Sequence, residues 1–202
     1  MNYSPAIGVL GAQFPEYPYV SQMGVDVGYL LRKFLPDSGV LFTGGVSGVG
    51  EDAYQGIINY CLGNGLKEDR FFVLVPKGDR PSDGYYKQAK RFSHKLEIIH
   101  QGETDIQRQE KMAEQGEVFV VVNGGYGTLN ECVHAIIRRK KIIVLPFTGG
   151  TAEELAHYKI YGLNHSLGQK LSALDHHSDV IDSSMIEIAN SIEDLIKHLE
   201  TL

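Results

Sequence analysis

Val118-Phe119-Val120-Val121-Val122-Asn123-Gly124-Gly125-Tyr126-Gly127-Thr128-Leu129-Asn130-Glu131 is the stretch that decides the fold. Its first five residues are apolar at every position, with no alternation between faces. A strand needs that pattern only when both of its faces are covered, as in a parallel sheet flanked by helices. The glycine-rich turn that follows opens a second pattern. Leu129, Cys132, Val133, Ile136 and Ile137 recur at i, i+3, i+4, i+7 and i+8, the apolar stripe of a helix. The stretch therefore reads as strand, tight turn and helix, one half of a right-handed crossover unit.

Working outward, the same grammar repeats. Short apolar runs at Ala6–Leu10, Val40–Phe42, Phe71–Val75, Leu96–Ile99 and Ile142–Leu145 predict further strands, with a weaker candidate at Val180–Ile181. Helical spacing fills the gaps. Val20, Met23, Val27, Leu30, Leu31 and Phe34 share a face ahead of Pro36, and Ile192, Leu195, Ile196 and Leu199 form a stripe behind the capping pair Ser191 and Asp194. Alternating strands and helices predict an α/β fold: a doubly wound, mostly parallel Rossmann-like sheet of about six or seven strands flanked by helices. With no linker, repeat or low-complexity tract, residues 1–202 are expected to form a single domain.

Composition agrees. Of 202 residues 43% are hydrophobic and 22% charged, enough apolar side chain for a sizeable core, which excludes a disordered chain. Nineteen basic against 25 acidic residues give a formal charge of -6, which argues against a nucleic-acid backbone as partner. Cys61 and Cys132, the two cysteines, fall at apolar helix positions and read as reduced core thiols. No basic leader precedes the first apolar run, and no apolar stretch nears the roughly 18 residues of a membrane span. A cytoplasmic protein with no membrane contact is expected.

Glycine placement points to function. Thr43-Gly44-Gly45, Asn123-Gly124-Gly125 and Thr148-Gly149-Gly150 each follow a strand and precede a helix. Strands of a parallel sheet end along one edge, so these turns are expected to converge on a shared crevice where ligands bind. There, glycine lets backbone N–H groups approach an anion and the helix N-terminus adds partial positive charge. Glu51 and Asp52 follow the first pair, and Glu153 and Glu154 the third, where they would repel a phosphate. The second has no acid before Glu131, so Gly124, Gly125, Tyr126, Gly127 and Thr128 are the expected phosphate-binding residues. No glycine loop ends in Gly-Lys-Ser/Thr, which excludes a P-loop. Gly48-x-Gly50-x-x-Ala53 formally fits a dinucleotide fingerprint, but its two acids disfavour that use.

The run Asn123–Glu131 resembles the P-G-G-x-G-T-x-x-E signature of the Lonely Guy family, phosphoribohydrolases of cytokinin nucleotides that older descriptions name lysine decarboxylases. Arg108, followed by Met112 and Ala113, matches the arginine of the family's upstream helix. Thr43–Gly50, with Gly44 and Gly45, looks like its earlier glycine turn, and Gly11-Ala12 resembles its Gly-Ser after the first strand. The resemblance spans residues 6 to 150 and extends to SLOG-like Rossmann nucleotide-binding proteins, among them molybdenum-cofactor carriers and nucleotide sensors. It implies nucleotide binding, a homodimer or higher homo-oligomer, and Arg108 with Glu131 as the catalytic pair. Two positions depart from it: Asn123 stands in place of proline and Gln109 in place of lysine.

The residues support compatible chemistry. Glu131 lies one turn beyond Gly127, about 6 Å along the axis, and its side chain leans back toward the helix start. A phosphate on the loop would set a ribose near this carboxylate. An anion there would stabilise the oxocarbenium-like centre of N-glycosidic cleavage. Arg108 beside it would keep it ionised. His134 gives a Glu-x-x-His spacing with no second ligand set, so no metal is expected. His176 and His177 read as exposed loop residues. Tyr17, Tyr19, Tyr85 and Tyr86 are candidates for stacking or for rim and core packing. No lysine has the context of a pyridoxal Schiff base, and no cofactor is expected. The expected activity is hydrolysis of a nucleoside 5′-monophosphate to base and ribose 5-phosphate, the alternative being a non-catalytic sensor or carrier.

Overall fold

The computed structural model describes residues 5–36, 38–45, 47–66, 71–78 and 97–202. Among the described residues seven strands run in parallel: β1 (Ala6–Gly11), β2 (Val40–Thr43), β3 (Phe71–Val75), β4 (Glu97–His100), β5 (Val118–Val122), β6 (Lys141–Leu145) and β7 (Ile186–Ile188), in the order β4-β3-β2-β1-β5-β6-β7. Among the described residues the α-helices are α1 (Ser21–Phe34), α2 (Val49–Gly63), α3 (Asp105–Gln115), α4 (Tyr126–Ile137), α5 (Gly150–Tyr161), α6 (His165–Ala173) and α7 (Ile192–Leu199). This is the α/β Rossmann-like architecture that the alternating pattern predicts.

The all-apolar strands are explained by their two faces. Val118, Val120 and Val122 pack into one core with Val27 and Leu31 of α1, Ala53 and Ile57 of α2, and Leu195 of α7. Phe119 and Val121 enter the opposite core with Met112 of α3, Leu129 and Val133 of α4, Leu155 of α5 and Leu167 of α6. The inner strands thus feed two cores with period two, and a polar residue on either of their faces would meet apolar neighbours. The two cysteines divide between the cores, Cys61 in the first and Cys132 in the second, both buried and free.

Boundaries differ from expectation in places. The seventh strand is not Val180–Ile181; Val180 closes a 3-10 turn (Ser178–Val180), and the strand is Ile186–Ile188. β4 is Glu97–His100, with Leu96 outside the described residues. At the C-terminal helix Ser191 Oγ accepts from the Asp194 N–H at 3.2 Å, while the Asp194 carboxylate turns to Lys197 at 2.8 Å. None of the described helices is long and apolar enough to cross a membrane.

Candidate functional site

The strand order places the site. Successive crossovers leave β1 toward β2, β3 and β4, whereas those after β5 lead the other way to β6 and β7. β1 and β5 lie side by side, with Gly11 opposite Val122, so their outgoing connections diverge and open a crevice at the strand ends. A cleft of about 290 Å³ fills it. Gly11–Phe14 at the end of β1 and beyond it, Thr43–Gly45 and Ser47 at the end of β2 and beyond it, Arg108 and Gln109 of α3, and Gly125, Gly127, Thr128 and Glu131 around the start of α4 line it.

Arg108 and Glu131, 23 residues apart, meet in this cleft. The Arg108 Nη2–H donates to Glu131 Oε1 at 3.0 Å, and its Nε–H donates to Asp105 Oδ1 at 2.8 Å. Arg108 is only 1% exposed, so the pair sits where charge is weakly screened. Burial pushes the Glu131 carboxyl above its ordinary value, and the adjacent guanidinium pulls against that rise. Arg108 moderates the cost of a buried carboxylate without cancelling it. Gly44 has a role here that concerns space, not amides. A Cβ at Gly44 would lie 1.9 Å from Arg108 Nη1 and 3.0 Å from Glu131 Oε1, so only glycine lets β2's turn pass behind the pair.

Gln109, in the position of the family's lysine, is held at both ends. Its Oε1 accepts from Asn130 Nδ2 at 2.5 Å and its Nε2–H donates to Asp105 Oδ2 at 3.3 Å. The Asn130 Oδ1 in turn faces His176 Nε2 at 2.7 Å. An amide oxygen only accepts, so His176 is the donor and its Nε2 carries hydrogen. Burial depresses both His176 and His134, whose rings meet edge to face at 5.8 Å between centroids. One hydrogen-bonded chain therefore runs His176–Asn130–Gln109–Asp105–Arg108–Glu131. His176 is half-buried, not the exposed loop residue expected; His177 is exposed. Asn130 and His176 carry no signal in the sequence, because their partners come from other helices and loops. Among the described residues no group of three or more His, Cys, Asp or Glu is arranged to hold a metal.

The three glycine pairs diverge in position. Gly44, Gly45 and Gly125 line the cleft, but the third pair does not. α5 instead turns its first amides on the β5 turn: Thr151 N–H donates to Gly124 O at 2.9 Å and Ala152 N–H to Asn123 O at 3.2 Å. Gly150, at φ 60°, is so close that a Cβ would sit 2.4 Å from Gly124 O. The third turn therefore converges on the same edge as the other two but does not line the cleft, its helix start bracing the second turn instead.

Asn123 is buried with φ 55°. Its N–H donates to Thr148 Oγ1 and its Nδ2 to Thr148 O, both at 2.7 Å, and Nδ2 also reaches Glu16 O at 3.2 Å. Proline could adopt neither that φ nor the first bond. Asparagine tolerates the left-handed region and replaces the lost rigidity with hydrogen bonds.

Other expected residues scatter. Gly11 and Ala12 line the cleft. Gly124 and Tyr126 do not: Gly124, at φ 117°, carries the turn, and Tyr126 is half-exposed with Lys170 Nζ 5.6 Å from its ring centroid. Tyr19 is buried and its hydroxyl donates to Asp52 Oδ2 at 2.7 Å, while Tyr17 is 95% exposed away from the cleft lining. Tyr85 and Tyr86 lie outside the described residues.

Compared with known families, the model described as the SLOG cluster4 family matches residues 4–172, most of the chain. The chain belongs to the SLOG cluster4 family. No curated protein matches it. Solved structures share the fold of this SLOG protein at low identity. The X-ray structure of TM1055, a structural-genomics target, is 20% identical, with a TM-score of 0.66 over 98% of this chain and 99% of that one. The molybdenum cofactor binding protein of the phototrophic bacterium Rippkaea orientalis is 21% identical, with a TM-score of 0.62 over 100% and 98%. DNA processing protein A of Helicobacter pylori, described for its single-stranded DNA binding, is 13% identical, with a TM-score of 0.59 over 99% and 82%.

Proposed function

We propose that the SLOG cleft binds a nucleoside 5′-monophosphate and that Glu131 promotes hydrolysis of its N-glycosidic bond. The observation carrying this reading is the Glu131 carboxylate, paired at 3.0 Å with buried Arg108, in the same cleft as the start of α4. The first amides of a helix have no intrahelical acceptor, and the dipole there favours an anion. A phosphate seated on Gly125–Thr128 leaves its ribose beside Glu131. As the C1′–N bond lengthens, the fixed carboxylate stabilises the cationic sugar and orients a water. Water oxygen bonds to C1′, the C1′–N pair leaves with the base, and the proton from water ends on the base nitrogen. The products are free base and ribose 5-phosphate. The resemblance of Asn123–Glu131 to the Lonely Guy signature supports the same assignment, and with it a homodimeric, cytoplasmic, single-domain protein. The formal charge of -6 favours a small ligand over nucleic acid.

A second reading, binding without cleavage as a sensor or carrier, is favoured by Gln109. Where the family has a cation, this chain has a neutral amide tied to Asn130 and Asp105. The fold shared with a molybdenum cofactor binding protein is compatible with such a role. Incubation with a nucleotide panel, with chromatography for released base, separates the two. Hydrolysis predicts base release that falls about 10²–10⁴-fold in Glu131→Gln, the usual worth of such a group. Thermal stabilisation by a nucleotide without release supports the carrier. Equal turnover by both proteins removes Glu131 from the chemistry.

A further inference from the structure

Phe14 is 79% exposed, yet it lines the cleft that also holds Gly125, Thr128 and Glu131. A phenyl ring left in water forfeits burial that a core position would provide, and isolated exposed aromatics are common enough to mean nothing alone. Two further observations give this one meaning. The segment carrying it is pinned on both sides. Val49 N–H donates to Ala12 O at 3.1 Å, and Gly48 packs so tightly that a Cβ there would lie 2.4 Å from both Ala12 O and Gln13 O. Past the ring, Glu16 O accepts from Asn123 Nδ2 at 3.2 Å and from Tyr19 N–H at 3.1 Å. The phenyl group is thus presented on a braced loop between the start of α2 and the turn after β5. Among the described residues that line the cleft, Phe14 is the one aromatic side chain; apart from Val9, the others are small, polar or charged.

We propose that Phe14 is the platform on which the ligand's heterocycle stacks. The proposal rests on the nucleotide reading of the cleft and adds the residue that holds the base. It accounts for a division of labour: amides at the start of α4 for the anion, Glu131 for the sugar, and an aromatic face for a planar base. Stacking accepts any π-face, so Phe14 contributes affinity for bases in general and little choice among them.

The test compares Phe14→Ala and Phe14→Tyr, each in the Glu131→Gln background that keeps ligand intact, using adenosine 5′-monophosphate, uridine 5′-monophosphate and ribose 5-phosphate by calorimetry. Phe14→Ala should weaken both nucleotides about ten-fold or more. Its affinity for ribose 5-phosphate should stay within about two-fold, and Phe14→Tyr should retain nucleotide affinity. The chain has no tryptophan, so Phe14→Trp supplies a single indole that can be excited apart from the 11 tyrosines, and its fluorescence should be quenched by the nucleotides but not by ribose 5-phosphate. Unchanged nucleotide affinity in Phe14→Ala overturns the proposal while leaving the cleft assignment standing. Equal loss of all three ligands overturns it too, by showing that the loop and not the ring was needed. Failure of all three to bind the parent overturns the nucleotide reading and this inference together.

Discussion

Asn123 shows how one backbone angle selects a residue type. At φ 55° with its N–H donating to Thr148 Oγ1, the position excludes proline on two counts. Asn123→Pro should destabilise the chain by about 3 kcal/mol or more, measured by urea unfolding, from lost bonding and enforced backbone change. The sequence revealed the departure from proline but not its reason, because φ depends on Thr148 and Glu16 approaching from other loops. Glu131 sets a second residue-scale expectation. Burial raises its carboxyl and Arg108 opposes the rise, so the folded state holds the proton more tightly than the unfolded chain does. The sign follows: this group favours the folded state at acid pH, and that contribution is lost as pH rises through the folded value. If the carboxylate is the active form, base release should fall on acidification with a midpoint above the ordinary 4.5. In Arg108→Met the opposing charge is gone, and the midpoint of the pH–rate profile should move higher still. The expectation that Arg108 keeps this acid ionised weighed the neighbouring charge alone, whereas desolvation, which acts against it, depends on depth and leaves no trace in residue order.

At the scale of elements, strands β3 and β5 were legible to the residue, since a strand sandwiched between two cores must be apolar throughout. The short edge strand β7 escaped, because Ile186-Glu187-Ile188 has only three residues and a charged centre, and no periodicity can be counted over that length. The glycine pairs were visible as turns, but which helix start opens on the cleft and which meets another turn depends on packing. Those two uses predict opposite mutational behaviour. Gly125 and Gly127 line the cleft, neither has a positive φ, and a Cβ on either meets nothing within 4 Å. Gly127→Ala should therefore leave stability unchanged or raise it by about 0.4–1 kcal/mol. Its methyl should nonetheless reduce ligand affinity at the mouth of α4. Thr148→Val, in the bracing loop, should do the reverse in order of cause. It strands the buried Asn123 N–H and removes the bond from Thr148 Oγ1 to Leu145 O, which is 2.6 Å long. Stability should drop by about 1–3 kcal/mol in chemical denaturation, with affinity affected only through the loosened turn.

For the whole molecule, the cleft depends on segments as far apart as Gly11 and Glu131, drawn together because the strand order reverses direction between β1 and β5. Alternating strands and helices were enough to anticipate a doubly wound sheet with a crevice at its strand ends. That Arg108 meets Glu131 was anticipated only through the family resemblance, and that Phe14 would stand at the rim not at all, since both follow from the three-dimensional closeness of separate crossovers. A ligand in this cleft contacts the outgoing loops of β1, β2 and β5 together with α3. Occupancy should consequently stabilise the chain as a whole and not one loop. At 100 times its dissociation constant a ligand adds about 2.7 kcal/mol. For a chain of 202 residues that corresponds to a rise in Tm of roughly 5–10 °C. Differential scanning fluorimetry of the Glu131→Gln protein with nucleoside monophosphates checks this, and the unfolding transition should move as one. Stabilisation limited to part of a biphasic transition would place the ligand on a local element, and the switch-point cleft would lose its claim to be the site.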